Sequence, residues 1–201
     1  MSLERNIEFL YEIGTMRNIQ RGWRQHLGTD CANVLDHTIR VQWLALILAR
    51  METEQGKTVN EDKVLKMALV HDAPETRTSD LSYVQKVYAD EKEDKAAHDM
   101  FEGTIMADFY SDIHKEYHER QSLEAKIVKD ADNLDVDFEL CELAERGSLL
   151  PGKWKGHRQL IRDEKLYTDS AKKLWDNLGK VDVGQWHLNA NKWVHIPKAG
   201  L

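Results

Sequence analysis

Four side chains of metal-binding type stand among apolar residues in three parts of the sequence. His37 lies on the apolar stripe of a segment with helical periodicity, and His71 and Asp72 end a second apolar segment. Asp132 lies on an apolar line of a third segment, with a valine four residues away on either side. Burying such groups without partners is costly, and a buried carboxylate in particular requires a compensating charge. One buried divalent cation would compensate all four.

The chemistry of these side chains indicates which cations they could bind. His37 taken alone would be interpreted as a hydrogen-bonded core residue, and the other three residues change that interpretation. Two neutral imidazoles and two carboxylates supply four nitrogen and oxygen ligands and leave positions open for water and a substrate. This mixed set favours Mn, Co, Fe, Ni or Mg in a near-octahedral site over a closed tetrahedral zinc site. The acids Asp130, Asp135 and Asp137 are interpreted as ordinary salt-bridged residues of the same helix.

Helices must position these residues, and the sequence predicts them by periodicity. Only 3 prolines and 11 glycines interrupt the 201 residues, which favours long helices and an all-α fold. Asn60 is a candidate N-cap, and the helix after it is apolar on both sides, so we expect it to lie centrally and to end near Pro74. Loops are expected over 20–33 and 147–152. The predicted helical segments are 4–19, 34–50, 61–72, 81–117 with a break near Ser111-Asp112, 122–145 and 158–178.

Composition limits the classes of partner. A chain with 41% hydrophobic and 31% charged residues is of the size and kind of one globular domain with a sizeable core. The net charge of −7 and the lack of a basic tract argue against a nucleic-acid duplex as partner. A small phosphorylated ligand remains compatible, because a bound metal can reverse the local field. The charge run over 90–95 is interpreted as a solvated face without a chemical role.

The sequence also bears on location and assembly. The longest apolar run, Trp43 to Ala49, is far shorter than the roughly 18 residues that span a bilayer, so no membrane insertion is expected. Two cysteines and an N-terminus without a signal-peptide pattern favour the cytoplasm. The tail from residue 183 onwards has no clear period, and it either wraps over the body or completes a contact in a homodimer.

The order of a His, a His-Asp pair and a distant Asp resembles the metal-dependent HD-domain phosphohydrolases, most closely their small 5′-deoxynucleotidase branch. The likeness extends over about residues 16–145. The segments that carry it are Arg21-Gly22-Trp23, Asn33 to His37, His71 to Glu75, Asp80 and Glu124 to Asp132. The resemblance implies an all-α HD-domain helical bundle with a single buried divalent metal ion. One domain is expected to take the whole chain, 1–201, with the helix and tail after residue 150 unassigned.

The resemblance implies a ligand set and shows two departures from the family pattern. The implied metal ligands are His37, His71, Asp72 and Asp132. Asp132, rather than Asp130, falls on the family's last Asp. Gly22 separates an arginine and a tryptophan that are adjacent in some bacterial members, and Ser79 stands where a glycine is common.

Roles for four further residues follow from the same resemblance. Glu75 corresponds to the acid that such enzymes use to activate water, and Asp80 corresponds to a second acid near the leaving group. Arg21 and Trp23 correspond to the pair that binds substrate. Glu75 lies three residues after Asp72, so one helical turn would place both carboxylates on the same side.

These features together predict a hydrolase of nucleoside 5′-monophosphates, with deoxyribonucleotides as the expected substrates and nucleoside and phosphate as products. Two alternatives stay open. One is a phosphodiesterase or a hydrolase of signalling nucleotides, which a larger pocket and a second metal would mark. The other is a regulatory HD protein that binds metal without catalysis, which a lack of acids such as Glu75 would have favoured.

Overall fold

The computed structural model describes residues 2–27 and 31–190. Within these residues the regular elements are helices, apart from an isolated bridge between Gln20 and Asn33, so the all-α prediction is confirmed. The helix predicted over 4–19 is α1 followed by a 3₁₀ helix. In chain order the elements are α1 (Leu3–Ile13), a 3₁₀ helix (Gly14–Asn18), α2 (Arg24–Leu27), α3 (Val34–Glu54), α4 (Glu61–Val70), α5 (Glu75–Thr78), a 3₁₀ turn (Gln85–Val87), α6 (Glu93–Phe101), a π-helix (Phe109–His114), α7 (Lys115–Glu119), α8 (Leu123–Glu145), α9 (Leu150–Glu164), α10 (Asp169–Leu178) and α11 (Gln185–Asn189).

The main core lies between α3, α4 and α8, the helices that carry or adjoin the four predicted metal ligands. Their facing residues are aliphatic and almost fully buried: Val41, Leu44, Leu48, Val64, Met67, Ile127, Val128, Ala131 and Leu134. Truncating a large side chain of this kind to alanine typically costs about 2–5 kcal/mol. The apolar stripes therefore fix the three helices relative to one another and, with them, the backbone positions of the ligands.

Helix α4 begins as predicted but is buried differently. The Asn60 side chain accepts a hydrogen bond from the Lys63 backbone N–H at 3.1 Å, which confirms the predicted N-cap. The expectation that both sides of α4 are buried is wrong, because Leu65 and Leu69 are 38% and 52% exposed. The helix packs on α3, α8 and the π-helix and leaves the side that carries Leu65 and Leu69 exposed. It ends at Val70, before the turn that leads to Pro74 and α5.

The segment 81–117 is divided differently from the prediction. The expected break near Ser111-Asp112 is wrong, since both residues lie inside the π-helix, which runs directly into α7. The interruptions fall before α6 and after it. Gly103, at φ 74°, takes the left-handed conformation that glycine adopts without strain, and the chain turns there after α6 has ended.

The predicted helix 158–178 is two helices, α9 and α10. The Asp130 carboxylate accepts hydrogen bonds from the backbone N–H groups of Tyr167 and Thr168, at 2.7 and 2.8 Å. The Thr168 hydroxyl then accepts from the Ala171 N–H and caps α10. The hydrogen bonds to Asp130 on α8 satisfy the backbone N–H groups between α9 and α10. Because they join distant parts of the chain, the periodicity of one segment could not predict them.

Other boundary expectations are modified. The loop expected over 147–152 ends earlier, because α9 begins at Leu150 with a proline in its first turn, where no N–H is needed. The loop expected over 20–33 contains the single turn of α2 among its described residues. Of the tail, Trp186 lies in α11, while Trp193 and Pro197 lie outside the described residues. Among the described helices, none combines the length and apolarity needed to cross a membrane.

Candidate active site

The four predicted metal ligands meet at one point in the helical core. His37 comes from the second turn of α3, His71 and Asp72 follow the last turn of α4, and Asp132 comes from the middle of α8. The His37 Nε2 atom lies 3.2 Å from Asp72 Oδ2 and 3.2 Å from Asp132 Oδ1. The His71 Nε2 atom lies 3.3 Å from His37 Nε2 and 3.3 Å from Asp72 Oδ2. One ligand atom from each residue therefore converges within 4.8 Å of the others.

Both imidazoles are held in the tautomer that a metal requires. The His71 Nδ1 atom lies 2.8 Å from the Ala68 carbonyl oxygen, and as a donor to it leaves the Nε2 lone pair free. The His37 Nδ1 atom lies 2.6 Å from Asp135 Oδ2, and the same tautomer follows. Asp135 is in turn bound by Arg40. The two Nε2 atoms lie 3.3 Å apart, so both could be ligands of one cation.

Asp135 is a positioning residue that the sequence analysis interpreted as an ordinary salt-bridged acid. Its carboxylate is nearly fully buried and does form the expected ion pair, but it also orients His37. The signal in the sequence was its spacing, since Asp135 lies three residues after Asp132 on the same face of α8. Asp137 fits the original interpretation, as it pairs with the buried Arg158 at 2.7 Å.

The charges around the cluster favour a cation at its centre. Burial and Arg21 act to lower the pKa of His37, yet the surrounding carboxylates raise that pKa well above its ordinary value. Burial acts to raise the pKa of Asp132, while Lys129 and His37 hold it well below the usual range. Neighbouring ligand atoms of an ion bound at about 2.1 Å lie about 3 Å apart, close to the separations in the cluster. The residues present therefore fit a divalent metal.

Arg21 lies beside the cluster between two acids. Its Nη1 atom is 3.1 Å from Asp80 Oδ2 and 3.4 Å from Asp72 Oδ2. Burial acts to lower the pKa of Arg21, but Asp80 and Asp72 raise it, so the guanidinium stays charged. Asp80 Oδ2 also accepts the Gly22 N–H at 3.1 Å. The loop that carries Arg21 is thus fastened to the loop that carries Asp80.

The departure from the family pattern at Gly22 has a steric reason. A Cβ atom at this position would lie 2.6 Å from the Asp80 carbonyl oxygen and 2.6 Å from the Ser82 backbone nitrogen. Both are backbone atoms and cannot move aside as a flexible side chain would. Gly22 therefore permits the close approach of the two loops, with Arg21 and Trp23 on either side of the contact.

Glu75 lies in the same pocket with one oxygen unpaired. Its Oε2 atom is buried and has no hydrogen-bond partner among the described residues. Burial raises the pKa of Glu75 to about 10, and repulsion from Asp72 and Asp80 adds to the effect. Burial also raises the pKa of Asp80, against the opposing effect of Arg21. Both acids are therefore tuned towards holding a proton, which a nearby cation would counteract at Glu75.

A pocket of about 690 Å³ opens beside the cluster, and it contains all of the predicted site residues except His37, which is buried behind it. Trp23 forms part of its wall and stacks on Trp154 of α9, with ring centroids 5.8 Å apart and an interplanar angle of 30°. His157 also lines the pocket from α9. The sequence analysis left this helix unassigned, because contacts between distant segments leave no periodic signal.

Comparisons with known proteins find relatives in sequence and a solved structure with a similar fold. The 5′-deoxynucleotidase HDDC2 of Dictyostelium discoideum is 28% identical over 158 residues, which cover 74% of this chain and 83% of that protein. A 5′-deoxynucleotidase of Vibrio vulnificus is 29% identical over 149 residues, covering 70% and 76%. A solved structure, a conserved hypothetical protein from Pyrococcus furiosus, superposes with a TM-score of 0.75 at 24% identity and covers 87% of this chain and 99% of that one.

The family comparison includes the helix that the sequence analysis had left unassigned. A family model described as HD domain matches residues 13–175. These residues contain the four candidate metal ligands, the pocket lining, the whole of α9 and most of α10. The predicted family is thereby confirmed, and the match reaches beyond the stretch of 16–145 over which the resemblance was first seen. This chain belongs to the HD domain family.

Proposed function

We propose that this chain is a metal-dependent phosphohydrolase that converts deoxyribonucleoside 5′-monophosphates into nucleosides and phosphate. The observation that carries the proposal is the convergence of His37, His71, Asp72 and Asp132 at the edge of a pocket that also holds a charged arginine and two acids with raised pKa values. The similar proteins from Dictyostelium discoideum and Vibrio vulnificus are named 5′-deoxynucleotidases, which supports the choice of substrate.

The four ligands would hold one divalent ion, with Mn, Co, Fe, Ni and Mg as the candidates. When bound, such an ion supplies Lewis-acid chemistry to the phosphoryl group. Lys129 keeps Asp132 ionised through a contact of 2.6 Å, and the Ala68 carbonyl and Asp135 keep both imidazoles in the ligating tautomer. The fold thus prepares the ligand set before any ion arrives.

Arg21 is placed to bind the phosphate. Its planar guanidinium can donate two parallel hydrogen bonds to phosphate oxygens, which an ammonium cannot imitate. Its present partners are Asp72 and Asp80, at the edge of the pocket. Arg21 Nη1 is shared between these two carboxylates, and the guanidinium has further N–H groups with which it could bind a phosphate.

The two acids divide the proton transfers of the reaction. Glu75 accepts a proton from the attacking water as its oxygen bonds to phosphorus, and the raised pKa of Glu75 makes it a stronger base once it is ionised. Asp80 gives a proton to the 5′-oxygen as the phosphorus–oxygen bond breaks. Exchange with solvent returns both acids to their starting states.

The stacked tryptophans form the apolar part of the pocket. Trp23 and Trp154 give a flat aromatic wall for a sugar or base, since both nucleobases and tryptophans bury large flat surfaces on stacking. The buried Trp23 Nε1–H has no acceptor among the described residues, so a ligand oxygen could accept it.

The test is phosphate release from purified protein. Deoxyribonucleoside and ribonucleoside 5′-monophosphates would be compared with a phosphodiester, bis-p-nitrophenyl phosphate, and with cyclic nucleotides, each with Mn²⁺, Co²⁺ or Mg²⁺ and after chelation. The proposal expects release from the deoxyribonucleoside monophosphates that chelation abolishes. Turnover confined to phosphodiesters or cyclic nucleotides would favour the alternative hydrolase, and metal binding without any turnover would favour a regulatory protein.

The proposal extends to location and assembly. A single domain over the whole chain, in the cytoplasm and without a nucleic-acid duplex as partner, agrees with the net charge and with the presence of only two cysteines. A homodimer is supported by an apolar stripe on the outer face of α3, where Ile39, Trp43 and Ile47 recur every four residues and are at least half exposed. Trp43→Glu should convert such a dimer to a monomer, as measured by light scattering after size exclusion.

A further inference from the structure

Three residues outside the four-residue cluster form a second group with metal-binding chemistry. Glu93 begins α6, His114 ends the π-helix and His118 lies in α7. One potential ligand atom from each lies within 4.8 Å of the others. The His118 Nε2 atom is 3.7 Å from Glu93 Oε1, and the two imidazole rings have their centroids 4.3 Å apart.

The imidazole of His114 is buried and has no hydrogen-bond partner among the described residues. It is 1% exposed, and neither Nδ1 nor Nε2 has a hydrogen-bond partner among the described residues. Buried polar groups are nearly always paired, so an imidazole with two unpaired nitrogens indicates a missing partner. Burial and the neighbouring His118 lower the pKa of His114 to about 4, so near neutral pH the ring carries a free lone pair.

The local backbone presents both imidazoles on the same side. His114 and His118 are four residues apart in a continuous helical stretch, a spacing that places side chains above one another. The preceding turn is a π-helix, a rare form that is enriched at functional sites. From the sequence, a break was predicted at Ser111-Asp112 and a solvated face without a chemical role over 90–95, so this group was not predicted.

The neighbouring charges are compatible with a cation at this second group. Burial raises the pKa of Glu93, and repulsion from Asp72 adds to it, so a positive ion would stabilise the ionised carboxylate. Three cations also line this part of the pocket, and all three are engaged. Lys86 pairs with Glu91, Lys129 pairs with Asp132, and Arg120 donates to the Tyr117 carbonyl and lies over its ring.

We propose that Glu93, His114 and His118 bind a second divalent transition-metal ion in the wall of the pocket. Two imidazoles and one carboxylate favour Zn²⁺, Co²⁺ or Ni²⁺ over Mg²⁺ or Ca²⁺, which prefer all-oxygen ligands. Glu93 and His118 line the pocket, so the positions left open by three ligands face it. The two clusters share no ligand, so the second ion is not part of a bridged two-metal centre of the phosphodiesterase kind.

The test counts ions bound by the full chain. Protein loaded with excess Co²⁺ and freed of unbound ion would be analysed for metal per chain and for the visible absorption bands of protein-bound Co²⁺. We expect two ions in the unsubstituted chain and one each in Asp132→Ala and in His118→Gln, with different bands left in the two variants. Glu93→Gln should also lose the second ion, and it changes α6 instead of α7, which keeps the test valid if His118→Gln folds poorly.

A matched control lies on the neighbouring surface. His98, Asp99 and Glu102 form a group of similar composition, but they are largely exposed, and His98 is already hydrogen-bonded to Asp99. His98→Gln should keep both ions. The proposal is overturned if His118→Gln and Glu93→Gln both keep two ions, if Asp132→Ala binds none, or if His98→Gln removes the second ion as well. Because the second ion is counted in the Asp132→Ala variant, the outcome does not depend on catalysis at the first site.

Discussion

Two pairs of histidines in this molecule differ in how their rings are held. The Nδ1 atoms of His37 and His71 lie 2.6 and 2.8 Å from fixed acceptors, so both rings are set for an ion by the fold. His114 has no such acceptor among the described residues, and His118 is half-exposed. A ligand fixed in advance loses little freedom when the ion binds. The first pair should therefore bind metal more tightly than the second.

The largest effect is expected from removing a ligand of the fixed cluster. His71→Ala or Asp132→Ala should abolish stoichiometric metal at the first site and reduce phosphate release to the level of the chelated protein, because only three of the four ligands remain. Metal per chain and phosphate release are the measurements. His157→Gln, which removes an imidazole that lines the pocket outside both clusters, is the control and should keep its metal. Unchanged metal content in both ligand variants would refute the assignment.

The next largest effect is expected from the two acids that transfer protons and do not bind the metal. Glu75→Ala and Asp80→Ala should each lower kcat by about 10²–10⁴-fold, the usual contribution of general acid or base catalysis, while metal remains bound. An aryl phosphate separates the two roles, because its phenolate leaves without a proton. It should largely restore the Asp80 variant and leave the Glu75 variant impaired. Equal recovery of both would mean that the roles are wrongly assigned.

The residue that orients His37 should have a smaller effect. Asp135→Asn weakens the hold on the Nδ1 proton, and losses of metal affinity at such outer positions are typically about 10–100-fold. Competition with a chromogenic chelator measures the affinity. Glu142→Gln is the matched control, since Glu142 lies on the same helix and binds the same Arg40 but does not contact His37. An equal loss in both variants would show that the effect passes through Arg40 rather than through the imidazole.

Features that depend on neighbouring residues could be predicted from the sequence, and features that depend on distant segments could not. Helices α3, α4 and α8 were predicted because apolar periodicity and caps such as Asn60 act over neighbouring residues. Asp132 could be chosen from an acidic helix because it lies on an apolar line and matches the resemblance. Asp135 was misinterpreted, since spacing alone cannot tell an acid that orients a histidine from one that only pairs with an arginine.

The walls of the pocket depend on contacts between distant segments and were not predicted. Trp154 reaches Trp23 across more than a hundred residues, and the end of α9 is set by bonds from Asp130 on α8. Glu93 was assigned to a solvated face because its neighbours in the sequence are charged, although it lies in the pocket wall. The π-helix that ends at His114 leaves no recognisable pattern in the sequence.

The smallest effect is expected at Ser79, which precedes Asp80 and lies outside the helical core. Its backbone, at φ 65° and ψ 161°, occupies a region that is essentially restricted to glycine, and such a residue stores about 1–3 kcal/mol. Ser79→Gly removes this strain but makes the unfolded chain more flexible, which offsets about 0.5–1 kcal/mol. A net gain of about 1 kcal/mol should raise Tm by about 2–4 °C in a chain of this size.

Ser79→Ala is the control, because it removes the hydroxyl and keeps the Cβ, and it should give no rise. If Ser79→Gly raises Tm and leaves kcat/KM unchanged, the strain is a property of the loop alone; if kcat/KM falls as Tm rises, the strained backbone holds Asp80 in place for the reaction. A Tm that does not rise would contradict the strain itself.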